Sequence, residues 1–197
     1  NRGLTEAFSY DALNRLQSST LNSANNLSMS YNVIGNPLTV QIDGAAVNTN
    51  DYTTPQSGCP TYLYSQPHAL RKTIQGPWTT LYCYDANGNM VRESTERHFE
   101  WDQADRMKAF RVQAGDSEPS IYALYLYDSD GQRVKKLVRK SGGYTTTTYL
   151  GAAFEHYKEV KAGTTQENNH LHVMDDKRRV AIVRVGDAFD DDGAKAH

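Results

Sequence analysis

Tyr82-Cys83-Tyr84-Asp85-Ala86-Asn87-Gly88-Asn89-Met90 is the stretch that decides how this chain folds. Its first and third residues are aromatic, and residues two apart in an extended chain share one sheet face. Asp85 can hydrogen-bond its own backbone two residues on and so open a turn, and Gly88 tolerates the left-handed backbone that a tight reversal needs. Met90 is apolar again, so a strand resumes. The phrase therefore reads as strand end, reversal, new strand.

The same phrase occurs four more times: Phe8-Ser9-Tyr10-Asp11-Ala12-Leu13-Asn14, Met29-Ser30-Tyr31-Asn32-Val33-Ile34-Gly35, Phe99-Glu100-Trp101-Asp102-Gln103-Ala104-Asp105 and Tyr125-Leu126-Tyr127-Asp128-Ser129-Asp130-Gly131. The seventh position is Asn14, Gly35, Gly88, Asp105 or Gly131, always a residue type at ease with positive φ. Leu16, Leu38, Met90, Met107 and Val134 mark where each following strand enters. The phrases are 21, 53, 17 and 26 residues apart, about one hairpin each except for the long interval. Residues 40–78 are punctuated by Pro55, Gly58, Pro60, Pro67, Gly76 and Pro77 and are expected to hold a loop-rich insertion or a degenerate copy.

Past residue 140 the strands are expected to continue without the phrase. Tyr144 to Tyr149 is β-branched and aromatic, and Gly151 turns the chain toward Phe154 and Tyr157. A last hairpin pairs His170–Met174 with Val180–Val185 across Asp175-Asp176-Lys177-Arg178. Glu100 to Val112, the best helix candidate, reads as strand, turn, strand in the repeat register. The fold class is thus all-β: consecutive antiparallel hairpins in a curved or spiralling sheet, one domain over residues 1–197.

Bulk properties agree. A hydrophobic fraction of 38% with 13 Tyr suits strands that keep polar groups near water. A net charge of −2 gives no footprint for a nucleic-acid backbone, and no apolar run approaches membrane-spanning length. The chain shows no signal segment, begins in mid-pattern, and is read as a piece of a longer protein. Cys59 and Cys83 read as two buried thiols, a single disulfide being the open alternative.

Tyr84 to Met90, together with Tyr127-Asp128-Ser129-Asp130-Gly131-Gln132-Arg133-Val134-Lys135-Lys136, resembles bacterial YD-repeat (Rhs) proteins, including the C component of insecticidal toxin complexes. Pro67-His68-Ala69-Leu70 and His170-Leu171-His172-Val173-Met174-Asp175-Asp176 resemble stretches that precede the core-associated region of such proteins. The resemblance implies hairpins that wind into a hollow shell enclosing a toxic polypeptide, a secreted or exported location, and as partners the rest of the parent chain and its cargo. The family's self-cleaving core carries Asp-Pro motifs, and no Pro here follows an Asp.

Chemistry-bearing patterns are sparse. Asp128-Ser129-Asp130-Gly131 echoes the start of a calcium loop, but Arg139 stands where a Glu would close it. His170 and His172 share a strand face and could approach a metal with Asp175 or His156. Asp187 and Asp190–Asp192 form an acidic end. There is no nucleophile elbow, phosphate loop or HExxH. No cofactor, metal site or catalytic residue is expected, and the chain is read as a structural wall segment and not an enzyme.

In that reading Tyr10, Tyr31, Tyr84, Trp101 and Tyr127 pack the sheet, while Asp11, Asn32, Asp85, Asp102 and Asp128 close turns. The alternative is a module that binds carbohydrate or a cell-surface protein through exposed aromatics, with Trp101 as its platform. An enzyme on the same scaffold is a third reading. Open sheet edges are expected to self-associate.

Overall fold

The computed structural model describes residues 3–22, 24–54, 57–59, 66–94, 96–176 and 178–187. The fold is all-β and antiparallel, with no helix among the described residues. Where the sequence reads as one domain, the chain divides into two compact units, Asn1–Thr95 and Glu96–His197.

The first unit contains β1 (Glu6–Tyr10), β2 (Leu16–Leu21), β3 (Ala24–Tyr31), β4 (Pro37–Ile42), β5 (Asn48–Asp51), β6 (Lys72–Gln75), β7 (Trp78–Tyr84) and β8 (Met90–Glu93). The second contains β9 (Arg97–Trp101), β10 (Met107–Val112), β11 (Ile121–Tyr127), β12 (Arg133–Lys140), β13 (Gly143–Leu150), β14 (Phe154–Lys161), β15 (Thr164–Met174) and β16 (Arg179–Gly186). Within each unit every strand pairs with the next in sequence, and strands touch only these sequence neighbours. Each unit is thus a meander, a topology in which every connection is local.

Side chains therefore pack sideways along one sheet more than between layers. Only Cys83, Ala109 and Ala123 are apolar residues buried below a tenth of their surface among the described residues. Cross-strand partners share a face, so the register Phe99↔Phe110↔Ala123↔Val138↔Thr145 draws one row across β9–β13. Phe99 and Phe110 touch there, with ring centroids 5.3 Å apart.

The interval 40–78 holds β5 and β6, which pair with each other and extend the meander on both sides. What lies between them, residues 52–71, is a long connection. Cys59, on that connection, is bonded to Cys83 of β7, with their Cα atoms 5.2 Å apart. This corrects the reading of two free thiols: a separation of 24 residues along the chain says nothing of distance until β5 to β7 fold side by side and bring Cys59 to β7.

Candidate functional site

Each of the five phrases builds the same cage. Oδ1 of Asp11 accepts the backbone N–H groups of Leu13 and Arg15, both at 2.9 Å. Asn32 does this for Ile34 and Asn36, Asp85 for Asn87 and Asn89, Asp102 for Ala104 and Arg106, and Asp128 for Asp130 and Gln132. In each, the Asx N–H also donates to the carbonyl four residues on, as from Asp85 to Asn89 at 2.9 Å. The seventh residue supplies the reversal: φ is 58° at Asn14, 94° at Gly35, 92° at Gly88, 56° at Asp105 and 81° at Gly131. A register shift falls at the same place in each hairpin, as between Cys83 and Tyr84.

The cage tunes the acids. At Asp11 and Asp102 the backbone N–H of the residue four on, Arg15 or Arg106, does most to hold the carboxyl below the ordinary range; their guanidinium groups add to this against a desolvation that opposes it. Asp51 is a turn that the sequence reading missed. Its Oδ1 accepts from the N–H groups of Thr53 and Thr54. Burial acts to raise its pKa, but these bonds and the threonine hydroxyls outweigh it and leave it well below the carboxylate range.

The fourth residue after the Asx does a second job. Arg15 donates from Nε to Asp11 at 2.6 Å and from Nη1 to the carbonyl of Asn32 at 2.8 Å, while its guanidinium lies 4.7 Å from the ring centre of Tyr31. The Tyr31 hydroxyl returns a bond to the carbonyl of Leu16 at 2.8 Å. Arg106, in the fourth phrase, repeats every element in the second unit: Nε to Asp102 at 2.8 Å, Nη1 to Asp128 O at 3.4 Å, the Tyr127 ring 4.8 Å away, and Tyr127 OH to Met107 O at 2.9 Å. In each of these two pairs one turn is thereby fastened to the next.

The remaining joints are variants. Arg71, 2% exposed, stacks over Tyr84 at 5.6 Å while Gln66 supplies the bond to the Asp85 carbonyl at 2.6 Å. Asn36 reaches Pro67 O at 2.8 Å and His68 Nδ1 at 2.6 Å, and Asn50 donates to Pro37 O at 3.0 Å in the place that tyrosine holds elsewhere. Arg133 lies 4.8 Å from the ring of Tyr149.

The other candidate groups have structural partners. Asp128, first residue of the calcium-like string, spends Oδ1 on two backbone N–H groups. His170 and His172 both face Glu155, at 3.9 and 3.6 Å, whereas His156 bonds Asn169 and Asp175 opens the turn into β16. No group of three His, Cys, Asp or Glu side chains among the described residues is disposed to hold a metal ion. Asp187 accepts from the N–H of Glu167, and Asp190–Asp192 lie outside the described residues. Trp101 is half-buried at the end of β9, while Trp78 is 74% exposed.

No family model matches the chain, and no curated protein does. Among solved structures it is similar to the TcdB2-TccC3-TEV crystal structure, at 16% identity and a TM-score of 0.44, and to the Photorhabdus luminescens Tc holotoxin pore, at 16% and 0.45. The likeness covers 93% of this chain and 12% of each of those chains, so the chain spans about an eighth of their length.

Proposed function

We propose that this chain is a non-catalytic wall segment of a YD-repeat shell whose parent protein encloses a toxin or effector polypeptide. The observation that carries this reading is the turn-to-turn joint, in which the arginine of one repeat grips the tyrosine and the Asx carbonyl of the next. Such a joint extends a sheet by any number of hairpins without a globular core, which is what a wall requires. The disulfide favours an oxidising, exported setting. No helix among the described residues is long and apolar enough to cross a membrane.

The test is protease protection in the natural gene product that contains this sequence. Enclosure predicts a segment outside the repeats that resists protease until the repeat region is unfolded with denaturant. Equal cleavage of repeat and non-repeat segments under native conditions would sink the reading. The carbohydrate-binding alternative retains one specific observation, the exposed indole of Trp78; glycan-array signal abolished by Trp78→Ala in a folded protein would favour it.

A further inference from the structure

The disulfide of the first unit has a cation lying on it. Cys83 is 1% exposed, whereas Cys59 is half-buried, so solvent reaches the bond from the Cys59 side. Arg92 stands directly across from Cys83 in the pairing of β7 with β8. Its Nη2 lies 3.8 Å from Sγ of Cys59 and donates to the Ser57 carbonyl at 3.1 Å. A Cβ on Gly58 would come within 3.5 Å of its Nη1, so the guanidinium also lies against the backbone of this loop. Arg92 pairs with no carboxylate among the described residues. Its charge is therefore not spent on an acid of the fold, and it falls on the sulfurs.

A disulfide carries no net charge and a thiolate carries a full one, so this guanidinium interacts far more strongly with the reduced pair than with the oxidised one. Whatever stabilises the thiolate favours reduction. Because the two sulfurs are bonded, the cation stands close to whichever of them leaves.

We infer that Cys59–Cys83 is a thiol-exchange site, entered at Cys59 and poised by Arg92, that takes a dithiol reductant as its substrate. The reductant, as a thiolate, attacks Sγ of Cys59; the bond to Cys83 breaks, and Cys83 leaves as a thiolate and takes a proton. The second sulfur of the reductant, its own proton lost to solvent, then attacks the first in the mixed disulfide and releases Cys59 as a thiolate beside Arg92. Two electrons pass to the protein and the reductant ends as a disulfide; of its two protons one is balanced by that on Cys83 and one stays in solvent. The product has Cys59, between β5 and β6, no longer tied to β7. This site rests on the disulfide and its cation and stands apart from the container reading.

Reduction by dithiothreitol tests it on the whole chain, with the pair followed by alkylation and peptide mass spectrometry. The wild type should be reduced in native buffer without urea. Arg92→Gln removes the charge and should shift the reduction equilibrium about tenfold toward the disulfide, whereas Arg92→Lys keeps the charge and should lie closer to the wild type. A purely structural role for Arg92 predicts the opposite sign, since a loosened fold holds its disulfide less firmly. A second measurement isolates the thiolate. In Cys83→Ser, with folding checked by near-ultraviolet circular dichroism, the pH midpoint for alkylation of Cys59 should lie below that of the same protein unfolded in urea, and Arg92→Gln should raise it by about one pH unit.

A pair that resists dithiothreitol until urea unfolds the first unit would overturn the inference, as would an equilibrium that Arg92→Gln leaves alone or moves toward reduction. So would an alkylation midpoint indifferent to the residue at position 92.

Discussion

At the scale of the residue, the turn acid is a hub for hydrogen bonds before it is a charge. Asp85 accepts from two backbone N–H groups and from the Asn89 amide. Asp85→Ala leaves those donors without their acceptor and should cost about 1–2 kcal/mol, whereas Asp85→Asn, which keeps Oδ1 as Asn32 does in its repeat, should cost less than half as much; urea midpoints decide. Gly35 has φ of 94° and open space where a Cβ would stand, so Gly35→Ala should lose about 1–2 kcal/mol through the backbone alone. Charge enters through pH. Asp11, Asp51 and Asp102 have folded pKa values below their unfolded ones. Between those values the unfolded chain binds more protons, so their contribution is full above about pH 5 and is lost as pH falls below about 4. Asp51→Asn should flatten the dependence of the urea midpoint on pH in that acid range and leave it unchanged near neutrality.

At the scale of the element, the joint makes one hairpin depend on the next. Arg106 contacts Asp102, the Asp128 carbonyl and the Tyr127 ring at once. Lysine can hold one of these positions but lacks the planar fork, so Arg106→Lys should destabilise by about 1–2 kcal/mol. In a double-mutant cycle with Tyr127→Leu the two changes should couple by about 0.5–1 kcal/mol; strict additivity would mean that the stacked geometry contributes nothing. The joint also shows where the sequence is legible and where it is not. The five cages could be read because everything they need lies within seven consecutive residues: alternation, an Asx, and a residue suited to positive φ. Joint partners lie farther apart, and their chemistry changes from Arg15 to Asn36 to the pair Arg71 and Gln66, so no string of letters repeats. The Asp51 turn was hidden for a related reason. Asn50 precedes the acid in place of an aromatic, and a long connection to Arg71 replaces the short loop.

At the scale of the whole molecule, the meander places little apolar surface out of water, and each unit depends on neighbouring strands more than on a core. The covalent tie between Cys59 and Cys83 therefore carries unusual weight in the first unit. It ties Cys59, which stands in the chain between β5 and β6, to β7. Closing a loop across a separation of 24 residues removes chain entropy from the unfolded state, and in that description stabilises the fold by about 3 kcal/mol. The second unit has no such tie, because both cysteines lie before Thr95. Reduction should accordingly split the unfolding. With dithiothreitol present, amide hydrogen exchange in β5–β8 should accelerate and the first unit should unfold at lower urea, while exchange in β10–β14 stays as it was. A uniform loss of protection across both units would instead mean that they unfold as one cooperative body, with the disulfide acting on the whole chain.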